Sequence, residues 1–515
     1  MQATRNGDSG EVEGLASALL ALSDVPFEII PASVVASDGA QWAFARTPGG
    51  PRLLLLPAIE QRCLLTEFDG ERGEREGRPL LVGPLNARNA AALRRHLPWL
   101  QPKPLPPGTS AGFGDRLGLA TPGHVRALRA VRQPIAPIFA QQSIREMTRT
   151  GRSPQEVIDD ATWGAFEAGW TEGVGADADH LKTPADIDAC VAAGFSFFTI
   201  DPGAHVIDEA DRATPAELRA AYDALPWPQL EDDGASLRTR LVGKSFDLEG
   251  HRVSLDDRTV LQAAVKYGRA VAHVVAMYRH VRAVIPDRPF DLEVSVDETA
   301  SPTTPAEHVF VALELQRLGV RWVSLAPRFV GRFEKGVDYI GDMTAFDADI
   351  AAHAAVARHF GQYKLSLHSG SDKFRIYEAA ARHTRGVVHL KTAGTSYLEA
   401  LRAVAQVSPD LFRAVYGFSR ERYEQDRASY HVSALLARAP EPDAVPGHEL
   451  VGLLDQFDVR QILHVTFGSV LTARQPDGAS RFADAIVRLL QSHPDVYAGC
   501  LERHFVRHLA PFAAT

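Results

Sequence analysis

The fold of this chain is best read from one stretch, Tyr363-Lys364-Leu365-Ser366-Leu367-His368-Ser369-Gly370-Ser371-Asp372-Lys373-Phe374. Side chains alternate across a β-strand, so Leu365 and Leu367 share one face while Lys364, Ser366 and His368 share the other. The glycine that follows breaks the strand, and a loop of serine, aspartate and lysine then leads into the next helix. A strand that is apolar outside and polar inside, and that ends in such a loop, is typical of a parallel barrel with its chemistry at the strand ends.

The pattern of strand, loop and helix repeats along the middle of the chain. Helical periodicity separates the strands, and a capping hydroxyl followed by proline marks helix starts at Ser153-Pro154 and Thr304-Pro305. Eight such repeats predict an α/β fold, a closed (β/α)8 TIM-type barrel. The predicted strands are Gly114–Thr121, Pro134–Ser143, Gly173–Lys182, Phe195–Asp201, Phe290–Asp297, Val320–Pro327, Tyr363–Ser369 and Gly386–Lys391.

Three domains are predicted along the chain. Residues 1–108 form a small N-terminal α/β domain that ends in a proline-rich linker, residues 109–405 form the catalytic barrel, and residues 406–515 form a helical C-terminal region. An acidic, proline-rich insertion at about 207–250 follows a strand end, so we expect it to be a lid or a subunit contact. His464 lies among apolar residues of the C-terminal region and is expected to be a satisfied core histidine.

Composition limits the classes of function. Of the 515 residues, 45% are hydrophobic and 23% are charged, as in a soluble globular protein. A net charge of −9 argues against a nucleic-acid or anionic-membrane partner. Cys63, Cys190 and Cys500 have no paired spacing, which predicts a reducing compartment, and no apolar run is long enough to span a membrane. We therefore expect a cytoplasmic protein that could form a homo-oligomer.

Polar side chains gather at the predicted strand ends, which meet at one mouth of a barrel. The inner set is rich in carboxylates and imidazoles and comprises Asp177, Asp179, His180, Asp201, Asp291, Glu293, Asp297, His368, His389 and Lys391. Such ligands with an open coordination position suit a divalent Zn, Mn, Co or Ni ion. The alternative is a set of salt bridges inside the mouth, but buried carboxylates without a partner are costly.

Other cofactors have no signal in the sequence. No Gly-x-Gly-x-x-Gly motif follows a predicted strand and no Walker-type Lys-Ser/Thr is present, so nicotinamide and nucleotide cofactors lack support. Lys391 could form a Schiff base, but with so many acids nearby we favour a role in binding a substrate carboxylate.

Several longer segments point to one family. They are Phe113-Gly-Asp-Arg-Leu-Gly-Leu-Ala-Thr-Pro-Gly-His-Val-Arg-Ala, Ile138-Phe-Ala-Gln-Gln-Ser, Asp159-Asp-Ala-Thr-Trp-Gly, Gly175-Ala-Asp-Ala-Asp-His and Leu367-His-Ser-Gly-Ser-Asp-Lys-Phe. Together they resemble the tagaturonate epimerase family, whose members interconvert tagaturonate and fructuronate in hexuronate breakdown and have fructose/tagatose 4-epimerase relatives. The resemblance spans about residues 110 to 475.

The resemblance implies a metal-dependent sugar epimerase whose partner is a small sugar acid or ketose. It implies His180 and His368 as metal ligands, and we take Glu334 as the remaining ligand. Asp179 and Glu293 are implied as the catalytic acid and base.

Substrate binding is predicted for Gln141, Asp201, Arg328, Lys373 and Lys391, with the cations as partners of a carboxylate. The carbon that inverts is separated from the ketone by one carbon, so its hydrogen is not acidified and we expect retro-aldol cleavage and re-addition. The alternatives are a fructose/tagatose 4-epimerase or other metal-dependent sugar isomerase or aldolase. A sugar-binding protein with a degenerate site is the non-enzyme alternative.

Overall fold

The computed structural model describes residues 27–75, 77–368, 372–392 and 394–513. Its N-terminal part is an antiparallel sheet in the order β1-β3-β4-β6-β5, with β2 paired to β3. The strands are β1 (Glu28–Ile29), β2 (Val35–Ser37), β3 (Ala40–Arg46), β4 (Arg52–Pro57), β5 (Glu71–Arg75) and β6 (Arg78–Pro84). The sheet is followed by the helix Ala87–His96, whose N-terminus is capped by the Asn86 side chain.

A closed barrel of eight parallel strands forms the middle of the described chain. Each strand pairs with the next one around the barrel, and β16 closes the ring by pairing with β7. The (β/α)8 barrel predicted from the sequence is therefore confirmed. The strands are β7 (Ser110–Gly112), β8 (Ala136–Ser143), β9 (Gly175–Leu181), β10 (Phe197–Ile200), β13 (Asp291–Ser295), β14 (Ser324–Ala326), β15 (Lys364–Leu367) and β16 (Val388–Lys391).

The position predicted for the first barrel strand, Gly114–Thr121, is wrong. The strand lies earlier, at Ser110–Gly112, and the segment after it is a turn. The carboxylate of Asp115 accepts hydrogen bonds from the backbone N–H groups of Leu117, Gly118 and Ala120, at 3.0, 2.8 and 2.7 Å. A side chain that occupies successive backbone donors in this way competes with strand pairing.

Helices connect the strands and cover the outside of the barrel. The predicted helix starts at Ser153 and Thr304 are confirmed, since both residues form a capping box with the glutamate three positions later. The barrel helices are Thr121–Val131, Ile144–Thr150, Pro154–Glu167, Pro184–Ala193, Asp257–Val284, Pro305–Arg317, Met343–His359, Phe374–Thr384 and Thr395–Val407.

The end of the insertion at 207–250 lies on the side of the barrel away from the mouth. The insertion contains the helices Pro215–Asp223 and Gly234–Leu241. It also contains the strand β11 (Lys244–Leu248), which forms a hairpin with the following strand, β12 (His251–Leu255). Glu249 at the hairpin turn pairs with Arg358 and Arg385 at 2.6 and 2.8 Å. Because these two arginines precede β15 and β16, the turn lies at the amino ends of the strands. The expectation that the insertion is a lid or a subunit contact stays a prediction.

The C-terminal region is helical, as predicted, but the helices are interrupted. The helix Pro409–Asp426 is followed by an extended segment with short 3-10 turns. Backbone N–H groups of that segment bond to buried side chains: Ser433 donates to Glu334 and Gln461 at 2.9 and 3.0 Å. The remaining helices are Phe457–Val465, Phe467–Thr472, Ala483–Ser492 and Pro494–Ala513.

One hydrophobic core runs through the three predicted domains, from Trp42 in the sheet to Phe512 in the last helix. The boundaries 1–108, 109–405 and 406–515 therefore stay a proposal. Among the residues that are described, no helix combines the length and the apolar character needed to cross a membrane. The expected cytoplasmic location stays a prediction.

Candidate active site

An open cavity lies at the carboxyl ends of the barrel strands, with about 480 Å³ of empty space. Its wall combines residues from the strand ends with residues from the C-terminal region. They are Arg116, Ser143, Arg145, Glu146, Asp179, His180, Lys335, His368, Lys391, Tyr430 and His464. The predicted position of the chemistry, at the strand ends of a barrel, agrees with this cavity.

Asp179, His180 and His368 converge on the cavity wall. One ligand atom of each residue lies within 4.8 Å of the ligand atoms of the other two. His180 stands at the end of β9 with a φ of +53°, a left-handed conformation that is uncommon for a residue other than glycine. Strain of this kind is concentrated at functional sites, and here it turns the imidazole toward His368, with 5.1 Å between the ring centroids.

Further carboxylates hold the two imidazoles in place. Asp201 lies 3.2 Å from Nδ1 of His180. Glu293 lies 2.5 Å from Nε2 of His368, and Asp297 lies 3.2 Å from Nδ1 of the same ring. Each histidine therefore has at least one ring nitrogen fixed by an acid, which is how metal-binding histidines are commonly oriented.

Lys391 lies among the carboxylates below the cavity. Its ammonium group is 2.8 Å from Asp177, 2.7 Å from Asp179 and 2.9 Å from Glu293, and it also donates to Thr199 at 2.6 Å. With its donors directed at these oxygens, Lys391 balances the acids of the site. The structure does not favour the predicted role as the partner of a substrate carboxylate.

The charges of this group shift the pKa of its members. Burial alone would raise the pKa of Asp179, but the charges of His180 and Lys391 hold it below its ordinary value. Burial opposes the proton on His368, yet the negative charge of Asp297 raises the pKa of that imidazole to about 10. Burial would lower the pKa of Lys391, and the surrounding carboxylates raise it instead. Asp179 is therefore ionised at neutral pH and lies beside two cationic partners, His368 and Lys391.

Two of the predicted substrate-binding residues lie beside this site. Gln141 is buried and donates through Nε2 to Asp179 at 3.1 Å, while its Oε1 has no hydrogen-bond partner among the described residues. Asp201 is occupied by His180, by Lys182 at 3.2 Å and by the backbone N–H of Gly203 at 2.8 Å. Both residues are placed to orient the cavity-lining side chains.

The other predicted residues are held elsewhere. Lys373 is buried and donates to the backbone carbonyls of Glu334 and Val337 at 2.8 and 2.5 Å. Arg328 is not part of the cavity wall. Glu334 accepts hydrogen bonds from the Ser433 hydroxyl at 2.7 Å and from Gln461 at 2.9 Å. Because Glu334 is bonded to the C-terminal region and is not grouped with the two histidines, Asp179 replaces it as the third candidate ligand.

Sequence reasoning missed the residues that the loops and the C-terminal region bring to the cavity. Arg116, Arg145, Lys335, Tyr430 and His464 all line it. The prediction for His464 is wrong in one respect: the side chain is buried, but its Nδ1 has no hydrogen-bond partner among the described residues. Arg116 lies in a segment that carries the family resemblance, which is the only sequence signal for it. Residues 369–371 of the predicted His-Ser-Gly-Ser loop lie outside the residues that the structure describes.

Comparison with known proteins agrees with the geometry. A model of the tagaturonate epimerase family matches residues 52–512. This chain belongs to the tagaturonate epimerase family. The tagaturonate/fructuronate epimerase of Thermotoga maritima is 43% identical over 424 residues, which cover 82% of this chain and 85% of the relative.

The fold of this family member also matches solved structures. The native crystal structure of fructuronate-tagaturonate epimerase UxaE from Cohnella laeviribosi superimposes with a TM-score of 0.89 at 36% identity and covers 97% of this chain and 99% of that one. The same enzyme with one bound glycerol gives a TM-score of 0.88, with 98% and 99% covered.

Proposed function

We propose that this chain is an epimerase that interconverts tagaturonate and fructuronate by inverting one hydroxyl-bearing carbon. The observation that carries the proposal is the convergence of Asp179, His180 and His368 on the cavity, with ligand atoms within 4.8 Å of one another. The family supplies the substrate class, because the relatives from Thermotoga maritima and Cohnella laeviribosi carry this activity in their names.

The residues of the cluster fit a divalent metal ion. Two imidazoles and one carboxylate are the donors that Zn, Mn, Co and Ni accept, and the acids behind both rings fix the ring orientation. When bound, such an ion would supply Lewis-acid polarisation of the substrate ketone. Asp179, His180 and His368 would hold it, while Lys391 balances the remaining negative charge.

Glu293 is our candidate for proton transfer. It is completely buried beside His368 and Lys391, and its Oε2 has no hydrogen-bond partner among the described residues. A carboxylate oxygen without a donor is able to accept a proton. Since Asp179 serves as a ligand in this proposal, Glu293 takes the proton from the substrate hydroxyl and returns it after the carbon has inverted.

The reaction that fits these groups is retro-aldol cleavage followed by re-addition. Removal of the proton from the hydroxyl on the inverting carbon lets the oxygen electrons form an aldehyde. The carbon–carbon bond breaks, and its electron pair moves to the carbon beside the ketone. Rotation of the aldehyde presents its other face, the bond forms again, and the oxygen regains its proton. No hydrogen leaves the inverting carbon at any step.

Turnover of the purified chain tests the activity itself. Tagaturonate and fructuronate are supplied separately with each of the four metals, and the products are separated by chromatography. We expect each compound to give the other. Absence of conversion with every metal would refute the proposed activity.

Substitution of Glu293 tests the proton-transfer role. Loss of a general base typically costs roughly 10²- to 10⁴-fold in rate, so E293Q should lower kcat by this amount when it is assayed at saturating metal. The matched control is E307Q, which alters another buried glutamate–lysine pair, Glu307 with Lys266 at 3.2 Å. If E293Q and E307Q lost activity equally, the loss would be explained by impaired folding and not by the missing proton acceptor.

Reaction in heavy water tests the retro-aldol route. Proton NMR should show the original hydrogen on the inverted carbon after equilibrium is reached. Deuterium that enters at this carbon as fast as the epimer forms would exclude the route. Release of a nicotinamide on denaturation would favour transient oxidation and reduction instead.

A further inference from the structure

The cavity contains a second polar group that the proposed chemistry does not use. It is formed by Arg116, on the loop after β7, and by His464, on the helix Phe457–Val465. Both side chains are almost completely buried, with 4% and 1% of their surface exposed. They line the same cavity as Asp179, His180 and His368.

The Arg116 guanidinium is held rigidly but keeps one donor group unused. Its Nε donates to Glu146 at 3.0 Å, its Nη2 bonds to the same carboxylate, and the ring of Phe467 lies 3.5 Å below it. Its Nη1 has no hydrogen-bond partner among the described residues. A buried donor without an acceptor is destabilising, so we expect this nitrogen to donate a hydrogen bond to a bound molecule.

His464 meets Arg116 at Gly394. This glycine has a φ of +91°, and a Cβ at its position would lie 2.6 Å from Cε1 of His464 and 2.7 Å from Nη2 of Arg116. Only a residue without a side chain allows the two groups to come this close. Burial and the positive charges of Arg116 and Lys335 keep the pKa of His464 well below its ordinary value. The imidazole is therefore neutral at neutral pH and can donate a single N–H.

We infer that Arg116 and His464 form the subsite for the substrate carboxylate. The inference rests on the proposed function, because a keto-hexuronate carries its ketone and its carboxylate at opposite ends of the carbon chain. With the ketone end at Asp179, His180 and His368, the carboxylate needs donors on another part of the cavity wall. Arg116 supplies a charged donor and His464 a neutral one, and neither Nη1 of Arg116 nor Nδ1 of His464 has a hydrogen-bond partner within the described part of the chain.

Lys391, Lys373 and Arg145 fit this role less well. Lys391 is surrounded by acids, and Lys373 donates to backbone carbonyls. Arg145 pairs with Glu298 at 2.9 Å, so a substrate would have to compete with that carboxylate. Arg116 is also paired, but its Nη1 is directed away from Glu146 and remains available, which permits it to bind two carboxylates at once.

Two variants and one control test the subsite. R116K keeps a positive charge beside Glu146 but replaces the planar guanidinium and its several N–H donors with a single ammonium group. H464N keeps a neutral N–H donor but places it on a shorter side chain. R94K is the matched control, because Arg94 forms a buried pair with Asp159 at 2.8 Å with similar exposure and lies outside the cavity. The KM for tagaturonate and the inhibition constant of tagatose, its neutral counterpart, are measured for each protein. Calorimetric binding of both sugars to the full chain gives the same comparison without turnover.

In R116K and H464N we expect weaker binding of tagaturonate by roughly 10- to 100-fold, with tagatose binding changed less than about threefold. R94K should alter neither value. Equal weakening of both sugars in R116K and H464N, or unchanged binding of tagaturonate, would overturn the subsite. These outcomes are distinct from failure of the proposed function, in which wild-type protein binds tagaturonate but forms no fructuronate.

Discussion

Two clusters in this protein contain the same residue types, one aspartate and two histidines, yet they differ in what surrounds them. We call Asp179, His180 and His368 the mouth cluster, and Asp372, His504 and His508 the sealed cluster. Both bring potential ligand atoms within 4.8 Å of one another. The mouth cluster lines the cavity, whereas the sealed cluster does not take part in its wall.

The sealed cluster is buried, and its members lie close to one another and to the charged side chains of Arg460 and Glu399. Asp372 lies 2.7 Å from Nε2 of His504 and 3.0 Å from Arg460. His508 accepts a hydrogen bond from the backbone N–H of Asp372 at 2.9 Å and bonds through Nδ1 to the carbonyl of His504 at 3.1 Å. Glu399 faces the other nitrogen of His504 at 3.4 Å. The cluster joins the last helix to the loop after β15.

The difference shows that ligand-type residues make a reactive site only when one side of the cluster stays open. In the sealed cluster the acids are balanced by arginine and by imidazole, so a metal ion would add charge that no group compensates. In the mouth cluster a substrate can reach the same residue types. We therefore expect chemistry at the mouth cluster and stability from the sealed one.

The largest effect should follow from removing a histidine of the mouth cluster. H180A and H368A should each lower turnover more than about 100-fold, because even residues that only orient a metal ligand contribute 10- to 100-fold. Elemental analysis should show loss of bound metal. H504Q should retain the metal content of wild type. Full metal content and near-normal turnover in H180A and H368A would remove the distinction between the clusters.

Removal of the charge of the sealed cluster should act on stability. D372N removes the nearer carboxylate of the buried Arg460 and leaves only Glu399, at 4.0 Å, so the free energy of unfolding should fall by about 3–5 kcal/mol. Asparagine accepts the left-handed backbone of this position, with a φ of +64°, so the change does not add strain. Urea unfolding measures the effect, with D495N as the exposed control. Metal loss without destabilisation would reverse our assignment of the two clusters.

Glu334 offers a smaller test of the same distinction. E334Q exchanges a carboxylate that accepts hydrogen bonds from Ser433 and Gln461 for an amide. Stability should fall by about 1–3 kcal/mol through the mismatched donors, and metal content should not change. If E334Q lost its metal, Glu334 would return as a ligand.

The smallest effect concerns pH. Burial, aided by the charge of His504, lowers the pKa of His508 from 6.5 to about 3. Between these values the unfolded chain binds a proton at His508 that the folded protein does not bind, so stability is lost as the pH falls. The loss from this group should be about 2 kcal/mol between about pH 6.5 and 5. Urea unfolding of H508Q should show a stability profile that is flatter by this amount, and identical slopes would contradict the assignment.

The sequence predicted much of the mouth cluster because strand periodicity is local. Asp179, His180 and His368 stand at strand ends, and the ends of parallel strands must meet in a barrel. The same reasoning does not extend to Glu334, Lys373 and Arg328, which follow strands through longer loops and do not line the cavity. A loop residue has no periodicity that sets its direction, and contacts with the C-terminal region decided where these side chains lie.

The sequence by itself determined the barrel, the ends of seven of its strands and the family, since alternation, helix caps and long motifs are carried by neighbouring residues. Only the tertiary structure decided which charged groups face the cavity and which are enclosed. Arg116 and His464 lie far apart along the chain and meet at Gly394 through packing of the C-terminal region. The sealed cluster likewise forms from segments more than a hundred residues apart. Contacts between residues far apart in sequence depend on the free energy of packing the whole chain, and a local sequence pattern contains no information about it.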